Sequence, residues 1–359
     1  MRLMHLSDLH LDAPFSNTTA DKAAHLRAEQ RELLGTYVAY ADAHDIPLIV
    51  IAGDLFDGAY VTRDSADALL SIFGGTHARV IISPGNHDPM TESSPYACLH
   101  FPDNVFVFDS PHITHFDLPE IRVYGYAFTE AHVPTTPLAG FHAEPCDVPS
   151  ILVAHADLDS PLSPYAPVSS ETLGKCGVDY AALGHIHKAS GLRYAGSTAY
   201  AYCGCLAGRG FDETGRKGAL ICDVTKDGVK AEPLYLTPRR YEVCRLTTAG
   251  EAGMEEAVTR LRELAAPFDE NTHVRLYLDG ETIADFDPKK HLPLLASLDV
   301  IDNTLPFDAK ALEADSGVKG AFYRRIKSEL LSEDDARRAI ARKALLFGLS
   351  VLEGRDVRL

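Results

Sequence analysis

The chain has 359 residues, 46% of them hydrophobic and 24% charged, and a formal net charge of -17 from 51 acidic and 34 basic side chains. That composition is globular, and the length fits two domains or one large domain with an appendage. An acidic excess of this size argues against a protein that grips nucleic acid through a broad basic face, because neutralised phosphates supply most of such affinity.

His5 and Asp8 interrupt the apolar run of MRLMHLSDLH, so no export signal is expected at the N-terminus. The longest strongly apolar stretch, residues 46–52, falls far short of the roughly 20 residues that cross a bilayer, and no membrane association is expected. Seven cysteines, an odd number without paired C-x-x-C spacing, fit reduced thiols in a cytoplasm.

Short β-branched runs alternate with helical patterns through the first two-thirds of the chain, the signature of layered α/β architecture. Strands are expected at residues 2–7, 48–52, 79–83, 105–108, 122–126, 151–154, 180–183, 192–195 and 219–224, with helices at 21–44 and 65–73. Residues 233–240 read as a last strand and a connector, which places a domain boundary near residue 238. After it come a strand (241–246), a helix (254–265), a strand (273–278) and helical sequence to the end. Ser332 is the expected N-cap of the last helix, with Glu333, Asp334 and Asp335 in its first turn. The expected organisation is an α/β domain over 1–238 and a small α+β domain over 239–359.

The polar residues fall at the ends of these strands. Asp8-Leu9-His10 follows the first, Gly53-Asp54-Leu55-Phe56-Asp57 the second, and Gly85-Asn86-His87-Asp88 the third. His155 ends the run 151–154, and Gly184-His185-Ile186-His187 ends the next. In open α/β sheets ligands bind outside the carboxyl ends of strands, so groups spread over 180 residues of sequence can converge on one rim. A single D-x-H or G-H-x-H means little; the ordered series is what carries weight.

Asp8, His10, Asp54, Asn86, His155, His185 and His187 form an oxygen and nitrogen donor set without cysteine, suited to Mn, Fe or Zn. Seven ligands exceed one tetrahedral ion and fit two ions sharing a carboxylate, as in metal-assisted phosphoester hydrolysis. Gly53, Gly85 and Gly184 precede ligands where a sharp turn or a close backbone approach is needed.

The series resembles the calcineurin-like metallophosphoesterases over residues 1–236. The resemblance implies a four-layer αββα sandwich, two mixed sheets flanked by helices, with a C-terminal α+β accessory domain. It also implies one metal held by Asp8, His10, Asp54 and His187, and a second held by Asp54, Asn86, His155 and His185. His87 matches the family's catalytic histidine, and Asp57 falls where the family often places that histidine's partner, although an Asp here also serves as a turn former.

Local departures bear on the substrate. Gly58 stands where the phosphoprotein phosphatases carry an arginine, and Asp88 where they carry a glutamate. SDLHLDAPF, GDLFD, SPGNHDP and the stretch from Gly196-Ser197 through Gly210 to Gly218 resemble the SbcD/YhaO-type DNA repair exonucleases. That resemblance implies Mn²⁺-dependent hydrolysis of DNA, a dimeric nuclease and an SbcC-like coiled-coil ATPase as partner. The alternatives are a small-nucleotide phosphodiesterase and a non-catalytic metallophosphoesterase scaffold; the intact ligand series disfavours the scaffold. Residues 319–343 carry eight basic side chains against four acidic ones. Ile340, Leu345, Leu346 and Leu349 give this region an amphipathic pattern that reads either as a solvated face packed on its own domain or as a docking site.

Overall fold

Apolar runs that are continuous rather than alternating dictate strands buried on both faces. In chain order the first two-thirds form β1 (Arg2–Leu6), α1 (Ala20–Ala43), β2 (Leu48–Ile51), α2 (Arg63–Gly75), β3 (Arg79–Ile82), α3 (Pro95–Cys98), β4 (Val105–Val107), β5 (Thr114–Leu118), β6 (Ile121–Gly125), β7 (Ser150–His155), β8 (Asp157–Leu158), β9 (Pro167–Val168), α4 (Ser170–Gly174), β10 (Tyr180–Gly184), β11 (Arg193–Ala195), β12 (Thr198–Tyr202), β13 (Ala219–Thr225) and β14 (Gly228–Leu234). The computed structural model describes residues 1–16, 18–248, 253–283, 285–292, 294–304 and 309–352. By its contacts the chain divides into two units, Met1–Arg240 and Tyr241–Leu359.

The first unit holds two six-stranded mixed sheets, ordered β14-β13-β1-β2-β3-β4 and β11-β12-β10-β7-β6-β5. Strands β1 to β4 run parallel and β13 is antiparallel to β1. In the other sheet β6, β7, β10 and β12 are parallel, with antiparallel β5 and β11 at the edges.

Side chains alternate between two apolar environments. Leu3, Leu48, Val50 and Ile81 pack against Val123, Ile151, Val153 and Ala182 of the second sheet. Met4, Leu6, Ile49, Ile51 and Val80 face the other way, onto Leu34, Tyr37 and Val38 of α1 and Leu69 and Phe73 of α2. Leu152, Ala154, Ala181 and Leu183 cover the far face with Leu173 of α4. The result is the four-layer arrangement of two mixed sheets flanked by helices. Thr19 and Thr62 cap α1 and α2, their side chains accepting from the amides of Lys22 and Ser65.

The second unit contains β15 (Arg240–Thr248), α5 (Gly253–Ala265), β16 (Thr272–Gly280), β17 (Ser297–Asp302), α6 (Ala309–Ala314), α7 (Val318–Leu330) and α8 (Asp335–Leu352), with a sheet ordered β15-β16-β17. Three expectations need correction. The strand sought near 233–240 lies at β14, where it pairs with β13 along its whole length. Helical sequence was expected throughout the region after residue 278, but SLDVID forms β17, parallel to β16, with Leu298 and Val300 set against the core of that sheet. The first turn of α8 is capped by Asp334 rather than Ser332: the Asp334 carboxylate accepts from the amides of Ala336 and Arg337. In α8, Leu345 and Leu349 are buried, whereas Ile340 is 68% exposed. Among the described residues, no helix is long and apolar enough to cross a membrane.

Candidate metal centre

The five polar loops meet at the carboxyl ends of parallel strands. Asp8 and His10 follow β1, Asp54 follows β2, Asn86 and His87 follow β3, His155 ends β7, and His185 and His187 follow β10. Backbone hydrogen bonds stitch the loops together. Asp8 N donates to Gly53 O at 3.0 Å and His10 N to Asp54 O at 2.9 Å. His87 N donates to Asp54 Oδ1 at 3.0 Å, and His185 N to the Asp8 carboxylate at 3.2 Å.

This convergence strains the chain. Asp8, His10, Asp54 and His185 have φ of 52°, 49°, 51° and 101°, a region non-glycine residues rarely enter, and such strain concentrates at functional sites. All three glycines make room, a Cβ on Gly184 falling 1.7 Å from the Ala52 carbonyl oxygen. A Cβ on Gly53, itself at φ 89°, would lie 2.1 Å from His155 Nδ1, and one on Gly85 would lie 2.2 Å from Asp54 Oδ1.

The ring nitrogens can be assigned from their partners. His155 Nδ1 donates to Ala52 O at 2.9 Å, leaving Nε2 2.9 Å from Asn86 Oδ1 and 3.3 Å from Asp54 Oδ2. His10 Nδ1 donates to Asp57 Oδ1 at 2.8 Å, and His187 Nδ1 to Glu213 Oε1 at 2.6 Å. Their Nε2 atoms then face each other at 3.1 Å, with Asp8 Oδ1 3.6 Å from His187 Nε2 and Asp54 Oδ2 3.7 Å from His10 Nε2. His185 turns Nδ1 to Asn86 Oδ1 at 3.2 Å. Burial alone would raise the pKa of Asp54, but His155 beside it outweighs that and holds the carboxyl well below the usual range, so Asp54 is ionised.

His87 stands apart from this buried cluster, its side chain 45% exposed, with its ring edge-to-face with His10 at 4.7 Å. Asp57 lies beside His87, its Oδ1 3.6 Å from His87 Nδ1, and the same oxygen accepts the shorter hydrogen bond from His10 Nδ1 at 2.8 Å. Asp88 faces inward. Its carboxylate accepts from the amides of Phe56 and Gly85 and from the Tyr96 hydroxyl, pinning the loop after β3 to the loop after β2. Burial, together with the charge of Asp54, pushes the Asp88 pKa up to about 7.

Residues 1–189 match the family model described as calcineurin-like phosphoesterase. An uncharacterized metallophosphoesterase of Bacillus subtilis, YhaO, is 30% identical over 303 residues, spanning 78% of this chain and 72% of that protein. The chain belongs to the calcineurin-like phosphoesterase family. Among solved structures, a dimetal phosphatase from Danio rerio is 12% identical with a TM-score of 0.42, the match covering 65% of this chain and 95% of that one.

The family's dinuclear metal centre fits the residues present. His10 Nε2 and His187 Nε2 lie 3.1 Å apart, and with each Nδ1 engaged by a carboxylate both Nε2 atoms would be free to ligate a cation. The remaining contacts among donors, 2.9 to 3.7 Å, bracket the roughly 3 to 3.5 Å expected between ligand atoms that share an ion at about 2.1 Å. Asp54 Oδ2 faces both His10 and His155, the position of a shared carboxylate.

Sequence reasoning missed Glu213, Arg209 and Lys217, which line His187 from the segment after β12. Glu213 and Lys217 lie within the stretch from Gly210 to Gly218, whose resemblance was the signal for them; Arg209 stands just before it. Cys203 and Cys205 are buried, and burial pushes the Cys205 thiol up to about 12, which leaves it a protonated thiol.

Proposed function

We propose that this phosphoesterase hydrolyses DNA phosphodiester bonds using two divalent ions, Mn²⁺ in preference to Fe or Zn. Asp8, His10, Asp54 and His187 would hold one ion, and Asp54, Asn86, His155 and His185 the other. The observation that carries the reading is the pair of converging imidazole nitrogens beside a carboxylate placed to be shared, with His87 exposed next to them. When bound, the ions supply Lewis acidity, drawing charge from phosphoryl oxygens and acidifying water near neutral pH. His87 is placed to donate a proton to the leaving oxygen, a contribution typically worth about 10²- to 10⁴-fold.

DNA as substrate is supported by the resemblance of residues 196–218 to SbcD-type nucleases, since part of that segment lies against His187. Up to residue 238 the chain carries 29 acidic and 15 basic side chains, so DNA held by this chain alone should be weakly bound and salt-sensitive. The reading therefore includes an SbcC-like coiled-coil ATPase and a homodimer, acting in the cytoplasm, with the basic residues of α7 and α8 on the docking side.

The test is degradation of end-labelled duplex and single-stranded DNA with Mn²⁺, with Asp54→Asn and His87→Ala as controls and cyclic nucleotides as competing substrates. The expected result is Mn²⁺-dependent DNA cleavage lost in both variants. Rapid turnover of cyclic nucleotides with DNA untouched would replace the nuclease by the small-nucleotide phosphodiesterase.

A further inference from the structure

The carboxylates that orient His10 and His187 are joined. Glu213 is 7% exposed, a costly position for a charge unless it is fully paired. Its Oε2 accepts from the amide of Arg209 at 2.7 Å, and its Oε1 from Arg209 Nη2 at 2.9 Å and His187 Nδ1 at 2.6 Å. Arg209 then reaches across with Nη1 to Asp57 Oδ1 at 3.4 Å, the same oxygen that receives the His10 proton. Lys217 Nζ donates to the carbonyl of His187 at 2.9 Å, which fixes the backbone of that residue as Glu213 fixes its ring. His10, Asp57, Arg209, Glu213 and His187 make a ring of contacts closed through the two facing Nε2 atoms.

Resting on the two-ion reading above, we propose that Glu213 is a positioning residue for one ion only, holding His187 so that Nε2 is its donor atom, and that Arg209 braces Glu213 against Asp57. A buried Arg–Glu pair serving stability alone would be satisfied by the guanidinium and would not need its shortest contact on the ring nitrogen of His187. A carboxylate receiving the far N–H of a ligating imidazole fixes its tautomer and raises its basicity, and loss of such a partner costs typically about 10- to 100-fold in metal affinity. The second donor group meets this bracket only through the shared Asp54, 3.7 Å from His10 Nε2, and its His155 is oriented by a backbone carbonyl. The bracket therefore acts on one side of Asp54 and leaves the other alone.

The experiment is titration of the full-length, EDTA-stripped protein with Mn²⁺, followed by electron paramagnetic resonance and calorimetry, for wild type, Glu213→Gln and Arg209→Met. Thermal melts of the metal-free proteins accompany it. The expected result is two Mn²⁺ sites in the wild type, one of them weakened about 10- to 100-fold in Glu213→Gln, with the other within about threefold and a metal-free melt that stays cooperative although lowered by loss of the Arg209 pair. Arg209→Met weakens the same site by a smaller factor, about 3- to 10-fold, and carries the test if Glu213→Gln does not fold. Equal weakening of both sites, or unchanged affinity at both, would overturn the assignment. A wild type that binds fewer than two ions would overturn the two-ion reading, and the assignment with it.

Discussion

The two donor groups that meet at Asp54 are held by different means. On one side each imidazole is oriented by a carboxylate, His10 by Asp57 and His187 by Glu213. On the other, His155 is oriented by the carbonyl of Ala52, and the ring of His185 has Nδ1 3.2 Å from Asn86 Oδ1 and Nε2 3.8 Å from Asp157 Oδ2. A backbone carbonyl at the end of a central strand cannot be removed by a point mutation; a carboxylate can. In the proposed two-ion arrangement the orientation of His155 is thus set by backbone at a strand end, while His10 and His187 depend on side chains brought from loops, where charge and basicity can be tuned.

The largest effect is expected where the comparison collapses. Asp54→Asn touches both halves, so both ions should bind weakly and activity on a generic phosphodiester should fall by more than the roughly 100-fold that loss of an outer partner costs. Inductively coupled plasma analysis after gel filtration and steady-state kinetics would read it; two ions retained with near-normal turnover would remove Asp54 from the shared position. His87→Ala belongs to neither half. Its kcat should drop about 10²- to 10⁴-fold while two ions remain bound. Metal loss in this variant would make His87 a ligand rather than an acid.

Asp57→Asn separates the halves directly. One Mn²⁺ should bind about 10- to 100-fold more weakly, the other normally, because His10 loses its orienting charge and Arg209 its brace, both on the same side of Asp54. Should turnover fall at saturating Mn²⁺ as well, the 3.6 Å approach to His87 matters too.

The smallest effect concerns a histidine on the same strand that serves neither half. His5 is fully buried between the sheets, its Nδ1 2.9 Å from the Tyr180 hydroxyl, and burial pushes its pKa down to about 3. Below about pH 6.5 the unfolded chain takes up a proton that the folded chain refuses, so stability is lost as pH falls from there, by about 1.4 kcal/mol per unit. In urea unfolding of the metal-free proteins, the loss between pH 6.5 and 5.5 should be larger by about 1 kcal/mol for the wild type than for His5→Gln, because the unfolded histidine is half protonated at the start of that interval. Parallel profiles would show that His5 keeps no burial penalty.

The fold was readable because its strands are continuous apolar runs: LIVI in β2 and RVII in β3 stand out without any partner in view. Strand β12, TAYAY, was not read: Thr198, Tyr200 and Tyr202 favour strands, but the alanines between them break any continuous aliphatic run, and its place is set by β10 alongside. Strand β17 was missed for a similar reason, its alternation being too short to outweigh the helical sequence that follows it. The loops after β1, β2, β3 and β10 were legible as an ordered series of polar residues next to glycines. Which of them touch was not.

Local residue order carries element type, ligand chemistry and the position of each donor at a strand end, because those depend on neighbours a few residues away. It cannot say which nitrogen of His10 or His187 looks inward, that Asp57 serves His10 at 2.8 Å before His87, or that Glu213 and Arg209 belong to the centre at all. Those are settled by contacts spanning 26 residues from His187 to Glu213 and 152 from Asp57 to Arg209. Such contacts exist only once two sheets have packed face to face and carried their loops to a common rim.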